Sequence, residues 1–158
     1  MFYFACKERK LLLSIEKEIN MSKNHQSPNP VPAATILLLR PSDTQLEVFM
    51  VVRHHQIDFA SGALVFPGGK ADDQDFDDDL LPLIQSPNPD SNMRGAEVSA
   101  IREAFEECGI LLAYGQETDR IIDGTRLESI QHYRESLNSG EVLLKDFLVK
   151  EKLKLACD

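Results

Sequence analysis

Apolar patterning becomes legible at Val31, where two β-rich runs follow one another, AATILLLR at 33–40 and LEVFMVV at 46–52. The PSDTQ between them carries Pro, Ser and Asp, residues that favour a turn, so the pair predicts a β-hairpin. ALVF at 63–66 predicts a short strand that runs into Pro67-Gly68-Gly69, where the glycines permit close backbone approaches. Residues 72–92, DDQDFDDDLLPLIQSPNPDSN, hold an acidic run and three prolines with no sustained period, and predict an exposed insertion. Helical periodicity resumes near Met93 and stops at Gly109, a C-terminal glycine, after which GILLAY at 109–114 predicts a strand. Beyond Gly115 two helices are expected at about 125–138 and 141–155, with Leu127, Ile130 and Leu137, then Val142, Leu144, Phe147, Leu148 and Leu153 near helical spacing. No further strand pattern follows, and LKLACD carries no capping or turn signal, so no strand is expected after Gly115 and the chain reads as cut short.

The helix before Gly109 has two faces. At about 100° per residue, Val98, Ile101, Phe105 and Cys108 form one stripe, and Glu103, Glu106 and Glu107 fall nearly opposite. Carboxylates at these spacings repel one another by some tenths of a kcal/mol per exposed pair. Two explanations stand side by side: a solvated face with scattered Glu–Arg pairs, or a site for a hard divalent cation such as Mg²⁺ or Mn²⁺, which takes a few carboxylates together with water and phosphate oxygens.

Composition and charge narrow the choice. The 158 residues are 42% hydrophobic and 27% charged, enough for one domain with a core. A net charge of −9 argues against generic binding to nucleic acid or an anionic membrane, so a polyanionic ligand would need a cation to mediate. Cys6, Cys108 and Cys157 are odd in number and lack CxxC spacing, which implies neither a disulfide framework nor a zinc site and points to a reducing, cytoplasmic setting. MFYFACKERKLLLSIEKEIN has its basic residues in the wrong place for a secretory signal, and residues 1–30 are expected to be an extension or linker ahead of a domain at 31–158.

In combination the motifs are more specific. REAFEECGI places Arg102, Glu103, Ala104, Glu106, Glu107, Gly109 and Ile110 in the slots of R-E-U-x-E-E-x-G-U, the second half of the Nudix box, with U a bulky apolar residue. FPGGKADDQD supplies the first half, G-x5-E, from Gly69 to Asp75, with aspartate standing where the family has glutamate. The separation from Gly69 to Arg102 exceeds the usual one by about 19 residues, so an insertion at about 76–94 interrupts a box that spans 69–110; counted back from Arg102, the glutamate slot holds Arg94. From Val31 onward the chain therefore resembles the Nudix hydrolases. The interrupted box resembles that of the peroxisomal coenzyme A diphosphatase-like branch, the nucleoside diphosphate-linked moiety X motif 19 type, as does RHHQIDFASGALVFPGG ahead of it.

This resemblance implies an α/β fold, a mixed sheet sandwiched between helices whose C-terminal strands are expected to be missing here, and Mg²⁺- or Mn²⁺-dependent hydrolysis of a diphosphate linked to another moiety. The small-molecule partner would be coenzyme A or an acyl-coenzyme A, with nucleotide sugars, dinucleotides or a purely binding role as alternatives. Carried onto this chain, Glu106 and Glu107 become the principal metal ligands, Glu103 a further ligand or the group that orients water, and a carbonyl near Gly68 completes the shell. Arg102 becomes a structural partner of the carboxylates, with Asp75 a candidate to receive it, and Arg53 and Lys70 become candidate substrate contacts. Phe66 and Phe105 read as core, Cys108 as a small buried hydrophobe, and Asp77–Asp79 as solvated. A peroxisomal address remains compatible with such a chain, although ACD is not its signal.

Overall fold

The structure, a computed structural model, describes residues 30–52, 62–117 and 120–157. Both early apolar runs break in the middle. The first yields β1 (Ala33–Thr35) and β2 (Leu39–Pro41), the second β3 (Leu46–Val48) and β4 (Val51–Val52). β2 and β3 pair antiparallel across the expected turn, which Ser42 N–H closes on Gln45 O at 2.9 Å. β4 pairs antiparallel with β5 (Leu64–Val65), and β6 (Gly68–Lys70) returns along β1 with Gly68 opposite Thr35. Between β1 and β2, Ile36 and Leu38 turn inward and are buried, whereas Leu37 faces out.

Residues 72–92 correct the expectation of an exposed insertion. They fold into two 3₁₀ turns, Asp73–Phe76 and Asp78–Leu83, and a strand, β7 (Ile84–Gln85), and they bury Leu80, Leu83 and Ile84 in the main apolar cluster. Phe76 lies on the helix that follows, α1 (Ser91–Cys108), directly over Gly95, where a Cβ would come within 2.1 Å of the ring. Glycine in a helix interior costs about 1 kcal/mol relative to alanine, and here it makes the room that seats the insertion. The acidic run is engaged at its edges: Asp78 pairs with Arg94 at 2.7 Å, Asp79 pairs with Lys145, and Asp77 Oδ1 accepts from Asp79 N–H at 2.9 Å.

α1 begins where Asp90 Oδ1 accepts the Asn92 and Met93 amides, at 2.9 and 3.3 Å, and ends where Gly109 takes φ +70°, an αL stop. Two of its faces are apolar. Ala100 and Ala104 pack on Ile36 and Leu38, and Val98, Ile101 and Phe105 enter the larger cluster. The chain continues through β8 (Ala113–Gly115), α2 (Gly124–Ile130), α3 (Arg134–Asn138) and α4 (Leu144–Lys150), and Phe147 of α4 stacks on Phe105 at 5.6 Å.

The second correction lies near the end of the chain. The last helix stops at Lys150, Lys152 turns the backbone with φ +52°, and Leu153–Ala156 forms β9. That strand is central: it runs parallel to β7 on one side and antiparallel to β8 on the other, with Leu155 opposite both Ile84 and Ala113. The expected absence of strand after Gly115 is thus overturned. The mixed α/β class stands, although the strands described form three two-stranded ladders and one three-stranded sheet where a single sheet was expected. Among the described residues no helix is long and apolar enough to cross a membrane.

Candidate functional site

Arg102 is the centre of the site. It projects from α1 with its side chain 4% exposed, and all five of its N–H groups are used. Nε and Nη2 grip the two oxygens of Asp75 at 2.9 and 3.0 Å, Nη2 also donates to Lys70 O at 3.0 Å, and Nη1 donates to Glu103 Oε1 and Glu106 Oε2 at 3.1 and 3.0 Å. Asp72 adds a longer contact at 3.8 Å, so four carboxylates lie within 4 Å of one guanidinium.

Asp75 is the residue that the shortened slot left open, and its shorter reach is made up by the backbone. It sits in the 3₁₀ turn Asp73–Phe76, only 1% exposed, with Oδ2 also accepting from Asp72 N–H at 2.9 Å. The insertion therefore starts after the acid and does not displace it: the two halves of the motif meet in space through Asp75 and Arg102. Arg94, the other occupant of that slot by backward count, points elsewhere, to Asp78 and to Asn88 O at 3.1 Å.

The glycine pair has two separate reasons to be glycine. Gly68 takes φ +150°, and a Cβ there would meet Ala34 O of β1 at 2.3 Å; a Cβ on Gly69 would meet the Glu103 carboxylate at 2.5 Å. Gly68 N–H donates to Glu107 Oε2 at 3.3 Å. The loop thus lies against two of the three glutamates. Gly69→Ala is expected to displace the flexible end of Glu103 while changing stability by less than about 1 kcal/mol, since the backbone there needs no left-handed φ. Unchanged melting with a fall in turnover checks this.

Burial pushes the Glu106 carboxyl up to about 7 and raises that of Glu103, against the lowering influence of Arg102. Burial alone would lower the pKa of Arg102, but the hydrogen bonds to Asp75 and the surrounding carboxylate charges raise it above its already high value. The guanidinium stays charged, and the glutamates share its field.

The donor set fits a hard cation: carboxylate oxygens from Glu103, Glu106 and Glu107, one turn apart, beside a glycine backbone with no Cβ in the way. The shell is not preformed. Among the described residues no group of three acidic, histidine or cysteine side chains converges on one point, because Glu103 and Glu106 are turned to Arg102 Nη1 and Glu107 to Gly68 N.

The other expected residues fall as follows. Lys70 is exposed and lines the cleft beside Glu103 and Glu106. Arg53 lies outside the described residues. Phe105 is core, Phe66 is half-buried and so only partly core, and Cys108 is half-buried at the helix end, where burial and then the neighbouring Glu107 raise its thiol pKa. One contributor carried no sequence signal. Arg134, at the start of α3, donates from Nε and Nη2 to Glu106 O at 3.2 and 2.9 Å and from Nη2 to Glu107 O at 2.8 Å, placing a cation on the negative end of the acid-bearing helix.

A glycine loop set against an acid-bearing helix, with mixed strands around both, is the frame in which comparison with known proteins is informative. No family model and no curated protein matches the chain. Among solved structures, the crystal structure of a NUDIX hydrolase from Alicyclobacillus acidocaldarius superposes with a TM-score of 0.56 and 24% sequence identity, over 80% of this chain and 56% of that one. The fold is of the Nudix type, and the chain spans just over half the length of the structure it matches.

Proposed function

We propose that this chain carries a Mg²⁺- or Mn²⁺-dependent diphosphatase site acting on a small nucleoside diphosphate derivative, with coenzyme A or an acyl-coenzyme A as preferred substrate. The observation that carries the proposal is the Asp75–Arg102 pair, which joins the two halves of the interrupted motif and holds Arg102 against Glu103 and Glu106. Glu106 and Glu107 hold the cation, Glu103 ligates it or orients the attacking water, and a carbonyl near Gly68 completes the shell. A cation held by these residues would neutralise diphosphate oxygens and lower the pKa of a bound water. Arg102 keeps the glutamates in one arrangement, and Lys70 meets a phosphate oxygen. The coenzyme A preference is supported by the interrupted box and by the likeness of RHHQIDFASGALVFPGG to the segment that precedes the box in coenzyme A diphosphatases, and 53–61 of that stretch lie outside the described residues.

A second reading has its own observation. Glu103 and Glu106 are both engaged by Arg102, and an aspartate fills the glutamate slot, an arrangement that also suits a module that binds without hydrolysis. Purified protein is incubated with Mn²⁺ or Mg²⁺ and coenzyme A, ADP-ribose, ADP-glucose or a diadenosine polyphosphate. Metal-dependent release of a monophosphate product is expected. Glu106→Gln is expected to cut it on the order of 100-fold or more, because even outer-shell partners of a metal are worth roughly 10–100-fold. Turnover on ADP-glucose or a dinucleotide but not on coenzyme A reassigns the substrate. A folded protein with no turnover supports the binding module.

A further inference from the structure

The cleft above the glutamates has two walls, and the motif builds only one of them. Lys70, Asp72 and the glutamates of α1 form the charged wall; the end of α3 and the turn after it, Leu137–Gly140, form the other. The second wall is anchored to the first. Arg134, at the start of α3, holds the Glu106 and Glu107 carbonyls, and Leu137 is buried in the main cluster. Gly140, at φ +73°, closes the turn by donating its N–H to Leu137 O at 2.9 Å, and Val142 N–H returns to Ser136 O at 3.0 Å. Ser139 is held by its amide on Glu135 O and its hydroxyl on Ser136 O, at 2.9 and 3.2 Å.

Two side chains on the opposite walls are uncommitted. Among the described residues the Lys70 ammonium makes no ion pair or hydrogen bond, and the Asn138 amide makes no hydrogen bond. Their chemistries are complementary. Lys70 is a point cation suited to phosphate oxygens, whereas Asn138 is neutral, stands on a wall segment with no charge of its own, and presents a donor and an acceptor side by side, which suits a sugar hydroxyl that can both donate and accept. The cleft volume of about 340 Å³ is at the small end of the roughly 300–1,000 Å³ usual for small-molecule sites, enough for a diphosphate and the group next to it.

We propose that Asn138 is the specificity-determining residue of this cleft, hydrogen-bonding a free hydroxyl of the sugar attached to the diphosphate while Lys70 contacts the phosphate opposite. The assignment rests on the diphosphatase reading and adds to it a residue outside the motif. Asn138 is exposed at the end of α3, so Asn138→Ala should leave the fold and its melting temperature unchanged. With ADP-ribose or ADP-glucose it is expected to raise KM about 5–10-fold, the worth of one or two neutral hydrogen bonds, with kcat within about twofold. The inhibition constant of inorganic pyrophosphate, which has no hydroxyls to read, is expected to stay put in Asn138→Ala and to rise in Lys70→Met. Equal KM values in wild type and Asn138→Ala overturn the proposal, as does a matching loss of pyrophosphate affinity. If the wild type shows no turnover, the diphosphatase reading fails by itself. Calorimetric binding of a methylene-bridged, non-hydrolysable ADP-ribose then decides the wall: weakening by about 5–10-fold in Asn138→Ala sustains it, and equal affinity or no binding removes it.

Discussion

Asp75→Ala is expected to cost about 1–3 kcal/mol of stability, the usual consequence of leaving buried donors without their acceptor. Arg102 has only 4% of its side chain exposed, and its other close acceptors, Glu103, Glu106 and Lys70 O, are already engaged, which leaves the two freed N–H groups only the longer contact to Asp72 at 3.8 Å. Removing both partners together, as Asp75→Leu with Arg102→Met, should cost less than the sum of the single changes, because each single change already breaks the same pair; what remains is the loss of Arg102 from Glu103 and Glu106. Urea unfolding of the four proteins in the cycle measures the difference. Additive losses would mean that the pair does not act as a unit. Asp75→Asn keeps the shape and loses the charge, and should fall between wild type and Asp75→Ala.

The second large effect is a dependence of stability on pH that runs opposite to ordinary acid denaturation. Burial raises the Glu106 carboxyl from 4.5 to about 7 in the folded chain. Between those values the folded state holds a proton that the unfolded state has released, so this group's contribution is full below about 4.5 and is lost as pH rises through 7. Metal-free protein is therefore expected to lose stability from pH 5 to pH 8, and Glu106→Gln, which does not titrate, should flatten that slope. Added Mn²⁺ should stabilise the wild type more at pH 8 than at pH 5, since the cation takes the place of the proton. Calorimetric melting of both proteins at the two pH values, with and without metal, checks the direction; parallel curves would exclude Glu106 as the group responsible.

Where local chemistry decided the structure, the sequence was a good guide. α1 announced itself by its 3.6-residue stripe and by Gly109, and the turn at Pro41–Gln45 by its composition. Long-range contact decided the rest. Leu80, Leu83 and Ile84 form too short a run to show a period, with Pro82 and the aspartates around them, yet they are buried because β9 and α4 come to lie over them. β9 was hidden because Leu153 continues the spacing of the helix before it, and the turn that separates the two is made by Lys152 at φ +52°, where a glycine or asparagine would have marked it.

The candidate site divides the same way. Glu103, Glu106, Glu107 and Arg102 were legible from their spacing on one helix. That Asp75 reaches Arg102 was not, because an aspartate one methylene short of the usual residue satisfies the pair only when the 3₁₀ turn carries it inward. Arg134 and Asn138 belong to no pattern at all; α3 brings them to the end of α1 by tertiary packing.

The central place of β9 sets the order in which the molecule can assemble. Ile84 and Ala113 find no common partner until Leu155 lies between them, so a chain emerging from the ribosome has made its glycine loop and α1 long before the residues that complete the second sheet exist. During that interval Leu80, Leu83 and Ile84 have no strand to cover them. The Asp75–Arg102 pair, by contrast, joins residues only 27 apart, a loop far shorter than the one that brings Leu155 to Ile84.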